Sequence, residues 1–254
     1  MAQSKITRLT HKPPAEIERE WDAIAFVREE QILQGKDISF SKVLLPAIVD
    51  LSTCSKFDRV IDVGCGLGFI MEALSSRSKY LLGVDLSGQS IRLAQRRFVH
   101  ANHVHFYHGS VEDFSMRSAL EKFSLAIANM TLMTSTDLDS VLHSVAKLLQ
   151  VGAHLVFTIT HPCYWARYWG YESEEWFRYD EEIFIEAPFK ITGNVGDLVT
   201  THVHRPLFQY INSLQKAGFC VEAVKEPFPP SDVDAEYLST WQYPRFLAIR
   251  CVRT

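Results

Sequence analysis

The stretch V-I-D-V-G-C-G-L-G-F, residues 60–69, decides how the rest of the sequence is interpreted. An apolar run breaks into three glycines at alternate positions, Gly64, Gly66 and Gly68. A second apolar run follows at residues 81–87 and carries a single acid, Asp85, near its end. A strand, a glycine loop that opens a helix and a later acid form a pattern that binds nucleotide cofactors. The stretch therefore predicts a cofactor cleft at the end of a strand.

The surrounding sequence alternates strands with helices from about residue 57 to residue 160. Apolar runs predict five strands, at residues 58–64, 80–86, 103–109, 123–130 and 154–160. Helical patterns lie between most of them, which requires a parallel sheet covered by helices on both faces. After a further helix, two strands at residues 220–228 and 245–252 have no crossover helix between them and predict an antiparallel pair.

The spacing of the glycine loop discriminates between two cofactor classes. A dinucleotide fingerprint has a small residue in its third slot, where the bulky Phe69 stands in this chain. Asp62 lies inside the strand, where a carboxylate suits the ammonium of a methionine moiety better than a pyrophosphate. Asp85 can accept from the ribose hydroxyls of either ligand. The loop thus favours S-adenosylmethionine, and a nucleotide-dependent oxidoreductase is the disfavoured alternative.

From about residue 57 to its end, the sequence resembles the class I S-adenosylmethionine-dependent methyltransferases of the small-molecule type. Residues 60–68 look like the first motif of that family, residues 81–87 like its second, and residues 108–114 like the segment that lines the adenine. Residues 127–133 lie where the fourth strand of the family delivers side chains to methionine and substrate. The resemblance implies a Rossmann-like αβα sandwich with a seven-stranded, mostly parallel sheet whose last strand is antiparallel.

The resemblance also implies which residues hold the cofactor, S-adenosylmethionine. They are Asp62, Gly64, Cys65, Gly66, Asp85, Leu86, Ser110, Val111, Asn129 and Met130. Structural roles remain open for some of these positions: Asp62 could bond loop amides, and Asp85 could cap the next helix. Gly68 either touches the ligand or lets the helix pack on the strand.

The chain is predicted to be one domain with two additions to its core. Residues 1–55 form a helical N-terminal lid around Trp21, and residues 56–254 form the core. The first fourteen residues lack the apolar core of a secretory signal and predict a flexible leader. Residues 161–204 fit no part of the alternation and form an aromatic-rich cap with a β-hairpin over the cleft.

The cap and the lid supply the candidate substrate residues. The side chains expected to contact the acceptor are Trp21, Tyr164, Trp165, Tyr168 and Arg205. Most of the cap aromatics are expected to form a small core of their own. His161, at the end of the fifth strand, and His204, in the last cap strand, are the candidate catalytic bases. No carboxylate cluster completes a metal site with them, so no metal is predicted.

Composition and charge restrict the possible partners. The formal net charge of −4 favours neither nucleic acid nor an anionic membrane, and no apolar run is long enough to span a bilayer. Five widely spaced cysteines fit no disulfide framework and indicate a cytoplasmic setting. We expect a methyltransferase that acts on O, N or C of a small molecule, and a homodimer is compatible with this. The alternatives are a quinone-type ring C-methyltransferase and a non-catalytic methyltransferase-like partner protein.

Overall fold

A seven-stranded sheet organises the structure, a computed structural model that describes residues 6–53, 57–118, 122–189, 198–234, 236–237 and 241–254. The strands in chain order are β1 (Thr7–Leu9), β2 (Arg59–Val63), β3 (Tyr80–Asp85), β4 (Val104–His108), β5 (Phe123–Asn129), β6 (Leu149–Thr160), β7 (Ile183–Pro188), β8 (Val199–His204), β9 (Phe219–Lys225) and β10 (Phe246–Arg253). The helices are α1 (Pro14–Leu33), α2 (Leu45–Ser52), α3 (Phe69–Ser75), α4 (Gly88–Arg97), α5 (Val111–Arg117), α6 (Leu138–Leu148), α7 (Trp165–Trp169), α8 (Leu207–Lys216) and α9 (Ser231–Asp234). A π-helical turn, Phe40–Leu44, leads directly into α2.

The main sheet has the strand order β4-β3-β2-β5-β6-β10-β9. Strands β2 to β6 are parallel, and β10 is antiparallel to both of its neighbours. The predicted αβα fold with an antiparallel last strand is therefore confirmed. The chain moves outward from β2 to β4 and then returns to β5 beside β2. This reversal is a topological switch point, and a ligand crevice opens at the carboxyl ends of the strands there.

Apolar clusters fill both faces of this sheet. One cluster joins the sheet to α6 and α8 through buried residues such as Leu142 and Leu214. The other joins it to α2 and α3 through Ile48, Ile70 and Met71. Strands that are buried on both faces have nearly continuous apolar sequences. This explains why residues 60–63 and 81–84 could be predicted as strands from the sequence. The packed sheet holds the ends of its strands rigidly at the crevice.

A second sheet of three antiparallel strands, in the order β1-β7-β8, covers the crevice. The pairing of β7 with β8 confirms the predicted hairpin, although its connection falls in residues 190–197, outside the described residues. The prediction of a flexible leader is wrong for residues 7–9, because they pair with β7 as an edge strand. This pairing joins segments more than 170 residues apart, which local sequence cannot reveal.

Candidate active site

A large cavity of about 1090 Å³ lies over the carboxyl ends of β2, β3, β5 and β6. Helix α1, the π-helical turn, helix α7 and strand β8 form further walls, together with the start of α5 and the start of β10. Pockets for one small ligand have volumes of about 300–1,000 Å³. The cavity is therefore large enough for a nucleotide and a second, smaller molecule side by side.

The glycine loop forms the floor of the cavity between β2 and α3. Gly64, Gly66 and Gly68 have φ values of 68°, 51° and 79°, in the left-handed region that side chains disfavour. A Cβ on Gly64 would lie 2.2 Å from the Oγ1 atom of Thr131. Gly68 does not line the cavity, and a Cβ there would lie 2.9 Å from the Phe98 ring. Gly64 thus permits a close approach at the cavity, whereas Gly68 permits packing of the helices.

Asp85 joins the glycine loop to the start of α4. Its Oδ2 atom accepts a hydrogen bond from the Gly66 amide at 2.7 Å, and its Oδ1 atom accepts one from the Ser87 amide at 2.8 Å. Burial raises the pKa of this carboxyl, and the two backbone hydrogen bonds oppose that rise. Each carboxylate oxygen keeps a further lone pair for a hydroxyl group in the cavity.

Asp62 is the most unusual polar group of the site. Asp62 lies near the end of β2 and lines the cavity, and only 2 % of its surface is exposed. Neither of its carboxylate oxygens has a hydrogen-bond partner within the described part of the chain. Burial and the nearby charge of Asp85 raise the pKa of Asp62 to about 8. A buried carboxyl without partners is costly, and a cationic group of a ligand would offset that cost.

The other cofactor residues predicted from sequence surround the same space. Ser110 caps α5, because its Oγ atom accepts a hydrogen bond from the Asp113 amide at 3.0 Å. The Asn129 side-chain oxygen accepts one from the Thr158 hydroxyl at 2.7 Å. Met130 adopts φ 54°, which is rare for a residue with a side chain and typical of functional sites. All the residues predicted to hold the cofactor line this one cavity; they are Asp62, Gly64, Cys65, Gly66, Asp85, Leu86, Ser110, Val111, Asn129 and Met130.

The candidate substrate residues divide into two groups. Trp21, Trp165 and Tyr168 line the cavity. Tyr164 does not, since its ring stacks on that of Tyr243 at a centroid distance of 5.0 Å. Arg205 does not line it either.

Arg205 is instead a structural residue beneath the cap. It is 1 % exposed, its Nε atom lies 2.5 Å from a Glu182 carboxylate oxygen, and it donates to the carbonyls of Leu132 and Ser135 at 3.2 and 2.6 Å. These bonds fasten the loop after β5 to the end of β8. The expectation that Arg205 reaches the acceptor is corrected by this burial, because the side chain is enclosed by protein partners and does not line the cavity.

The two predicted bases also lie outside the cavity lining. The Nε2 atom of His161 is 2.8 Å from a carboxylate oxygen of Glu226, and burial lowers the pKa of this imidazole. The Nε2 atom of His204 donates to the carbonyl of Tyr179 at 3.0 Å, and burial lowers its pKa as well. Neither ring is directed at the cofactor cleft, so the geometry offers no route from either imidazole to a substrate proton there.

His202 is the histidine that does line the cavity. Its Nε2 atom lies 3.3 Å from the Tyr171 hydroxyl, and its ring meets Trp169 edge to face. Burial lowers the pKa of His202 to about 3, so the ring is neutral at neutral pH. The i, i+2 spacing of His202 and His204 indicates a shared face of β8. The structure shows that His202 lines the cavity and that His204, two residues further along the strand, does not.

Sequence reasoning missed Arg245, which lines the cavity from the residue before β10. Its guanidinium lies over the rings of Tyr168 and Trp241, at 3.9 and 4.3 Å from their centroids. Its carbonyl accepts a hydrogen bond from the His161 amide at 2.9 Å, at the point where β10 pairs with the end of β6. An arginine followed by an apolar strand carries no local signal of this position.

Buried polar contacts hold α1 over the cavity. Glu20 accepts hydrogen bonds from the amide and the hydroxyl of Thr201 in β8, both at 2.9 Å, and it pairs with Lys12. Asp22 accepts from the Ser87 hydroxyl at 2.6 Å and from the Gln89 amide at 2.9 Å. The helix is thus fastened to the cap on one side and to α4 on the other.

Comparison with known families covers the glycine loop and the strands around it. Residues 60–152 match the family model described as a methyltransferase domain. The matched segment runs from β2 to the start of β6 and contains every residue predicted to hold the cofactor. Within the described residues, none of the helices is long and apolar enough to span a membrane.

Two curated relatives match part of the chain. An arsenite methyltransferase of Aquipseudomonas alcaligenes is 33% identical over 111 residues, which cover 39% of this chain and 32% of the relative. A ubiquinone biosynthesis O-methyltransferase of Aromatoleum aromaticum is 29% identical over 101 residues, which cover 39% of this chain and 43% of the relative. The chain therefore spans less than half the length of these relatives.

A solved structure resembles nearly the whole chain. An S-adenosylmethionine-dependent methyltransferase from Mesorhizobium loti superposes with a TM-score of 0.60 at 23% sequence identity. The match covers 82% of this chain and 96% of the other. At this level of identity, the likeness shows a shared fold alone.

Proposed function

We propose that this chain is a class I, S-adenosylmethionine-dependent methyltransferase that transfers a methyl group to O, N or C of a small organic molecule; the family match and the shared fold support this. The single observation that carries this proposal is Asp62. Its buried carboxyl has no hydrogen-bond partner in the described chain and faces the cavity. The ammonium of a methionine moiety supplies the charge and the donors that this group lacks.

The remaining contacts of the cofactor follow from the geometry of the floor. Asp85 accepts from the two ribose hydroxyls, since its Oδ atoms are oriented by the Gly66 and Ser87 amides. Ser110 and Val111, at the start of α5, lie against the adenine. Asn129 and Met130, at the end of β5, lie where the methionine part meets the acceptor. This assignment places the transferable methyl group towards the cap.

S-adenosylmethionine, when bound, supplies a methyl group already activated on a sulfonium sulfur. The tasks left to the protein are to align the acceptor with that methyl group and to exclude water. Trp21 of α1 and Trp165 of α7 line the side of the cavity proposed for the acceptor. The neutral His202 can accept a hydrogen bond from an acceptor hydroxyl or amine, but its pKa of about 3 makes it a weak base. We therefore expect most of the rate acceleration to come from positioning the acceptor and from excluding water.

The proposed acceptor is a small molecule, because the cap and α1 cover part of the cavity and limit the room above the strand ends. The aromatic wall of Trp165, Tyr168 and Trp169 favours a flat or apolar body, and a quinone-type ring is one example. The complete set of cofactor residues favours an active enzyme over a non-catalytic partner protein. Unpaired cysteines at positions 65, 163, 220 and 251 support action in the cytoplasm.

Calorimetric titration tests the proposal directly. The purified protein should bind S-adenosylmethionine and S-adenosylhomocysteine with micromolar affinity and should not bind NADH. The Asp62→Asn variant should lose most of this affinity, whereas Asp113→Asn, which removes an exposed carboxylate on the α5 side of the cavity, should keep it. Binding of NADH in place of the two sulfur nucleotides would contradict the proposal and favour an oxidoreductase.

A further inference from the structure

We propose that His202 binds the methyl acceptor as a hydrogen-bond donor through its Nδ1–H group, and that the acceptor presents to it a carbonyl oxygen or another oxygen that only accepts hydrogen bonds. Tyr171 is the positioning residue that keeps the proton of the ring on Nδ1. This inference rests on the proposed function, since it names the chemical group that the same site recognises. His202 holds the acceptor in this arrangement and takes no proton from it.

His202 lies in the wall between two spaces. It lines the main cavity, and it also lines a small void of about 10 Å³ behind that wall. Among the described residues, those that border both spaces are Thr160, Trp165 and His202, whereas Tyr171 borders the void and not the cavity. The Nε2 edge of the imidazole, which meets the Tyr171 hydroxyl, is therefore turned towards the void. The ring itself stands in the cavity wall beside Trp169.

The Tyr171 hydroxyl is a buried donor with one acceptor. The residue is 1 % exposed, and its oxygen lies 3.3 Å from Nε2 of His202, the one hydrogen-bond partner that the described residues offer it. Burial raises the pKa of this hydroxyl, so it keeps its proton at neutral pH. A buried donor without an acceptor is costly, and the hydroxyl therefore donates to Nε2.

This hydrogen bond decides where the imidazole carries its own proton. Burial lowers the pKa of His202 to about 3, so the ring is neutral at neutral pH and holds one proton. Since Nε2 accepts from Tyr171, that proton is on Nδ1, and the ring is a donor there. The hydrogen bond that a neutral imidazole could accept from an acceptor hydroxyl or amine would require the opposite tautomer. That tautomer would leave the Tyr171 hydroxyl without an acceptor among the described residues.

The Nδ1 atom is available to a ligand. No described residue forms a hydrogen bond with it. Unlike the fully enclosed indole nitrogen of Trp165 in the same wall, Nδ1 keeps accessible surface. Because the Nε2 edge meets Tyr171 at the void, this surface is assigned to the cavity. A donor in the wall of a binding cavity that has no protein acceptor is suited to an acceptor atom of the ligand.

A neutral donor at this point selects among acceptor groups. An N–H group binds the lone pair of an oxygen, and it does not bind an ammonium or an apolar group. A carbonyl oxygen fits best, because it offers two lone pairs and has no proton of its own. The nearby rings of Trp165, Tyr168 and Trp169 line the same cavity and provide flat apolar surface for the rest of the molecule. The acceptor class is therefore a carbonyl compound with a flat apolar frame.

Nitrogen NMR of protein labelled with ¹⁵N-histidine tests the tautomer. In protein saturated with S-adenosylhomocysteine, the His202 ring should have a protonated Nδ1 and an unprotonated Nε2 at neutral pH. Its signals are identified by their absence in His202→Asn. Tyr171→Phe, which removes the hydroxyl that donates to Nε2, should shift part of the proton to Nε2. A protonated Nε2 in the wild type, or an unchanged tautomer in Tyr171→Phe, contradicts the inference.

A pair of probes of the same shape tests the contact with the acceptor. Acetophenone carries a carbonyl oxygen, and α-methylstyrene has a CH₂ group in its place. In protein saturated with S-adenosylhomocysteine, acetophenone should shift the Nδ1 resonance of His202, and α-methylstyrene should shift it much less. His202→Leu should weaken acetophenone binding about fivefold relative to α-methylstyrene, as expected for one lost hydrogen bond. His202→Asn, whose amide N–H can replace the Nδ1–H group, should keep most of the wild-type ratio.

Two controls make the outcome decisive. His143→Asn removes an exposed histidine outside the cavity and should change neither the resonance nor the ratio. S-adenosylhomocysteine is titrated into every variant, because unchanged affinity shows that the fold and the cofactor floor are intact. The inference is wrong if acetophenone leaves the Nδ1 resonance unshifted, or if a folded His202→Leu keeps the wild-type ratio; if that variant does not fold, the wild-type resonance decides. Failure of the wild-type protein to bind S-adenosylhomocysteine would instead overturn the proposed function.

Discussion

Binding of the cofactor should release a proton, and Asp62 is its source. In the ligand-free protein the pKa of this carboxyl is about 8, so the group is protonated at pH 6.5. A bound ammonium next to it favours the charged form and lowers its pKa. The ligand ammonium, with a pKa of about 7.8, is already charged at this pH and takes up little. A net release of about 0.9 proton per bound ligand is therefore expected at pH 6.5.

The same linkage sets the pH dependence of the affinity. Between pH 6 and pH 7 the binding-competent carboxylate increases about tenfold, so the association constant should rise by nearly the same factor. Above about pH 8 the gain should end, because Asp62 is ionised and the free ligand begins to lose its own charge. The affinity thus has its maximum near pH 8.

Calorimetry measures the release without any assumption about the acceptor. S-adenosylhomocysteine is titrated at pH 6.5 in buffers of different ionisation enthalpy, and the slope of the observed enthalpy against that quantity gives the number of protons. Asp62→Asn should reduce the slope to nearly zero and weaken binding by about 1.5–3 kcal/mol. Asp113→Asn should change neither. A slope of zero in the wild type, or an undiminished slope in Asp62→Asn, would refute the assignment of the ammonium to Asp62.

Three further outcomes concern stability and the walls of the site. In the ligand-free protein the folded-state pKa of Asp62 lies above the unfolded value of about 3.9, so the unfolded chain binds fewer protons and the free energy of unfolding falls as pH rises from about 4 to about 8. Asp62→Asn should remove this part of the decline in urea titrations, and an identical decline in the variant would exclude Asp62 as its source. Gly64→Ala should abolish S-adenosylhomocysteine binding, because the new Cβ atom would collide with the Thr131 side chain in the cleft. Gly152→Ala, with a similar φ of 78° and open space around it, should cost only about 1–2 kcal/mol of stability and keep binding; equal effects of the two alanines would show that backbone strain alone matters. Glu20→Gln should lower the free energy of unfolding by about 1–3 kcal/mol, because Lys12 loses its buried carboxylate partner and keeps only the partly exposed Glu186. Glu18→Gln on the same helix should change that free energy by less than about 0.5 kcal/mol, and a similarly small loss for Glu20→Gln would contradict the anchoring of α1.

The cofactor floor was predictable because its determinants are local. A buried strand, a glycine loop and the next strand occupy residues 60–87, and each leaves its own mark on the sequence. Asp62 and Asp85 are placed by their positions at the carboxyl ends of neighbouring parallel strands, which meet at one edge of the sheet. Alternation of strands and helices determined the order of the layers in the same way. These features depend only on residues that are close together in the sequence.

The side of the cavity formed by the cap and the start of β10 was decided by tertiary packing. Arg205 and Arg245 look alike in the sequence, yet one is enclosed by Glu182 and two carbonyls and the other lines the cavity. His202 and His204 share a strand face, but only the first reaches the cavity. The direction of these side chains depends on where the cap sheet lies and on the register of β10 against β6. Contacts between segments far apart in the chain set both, so no local pattern of residues encodes them.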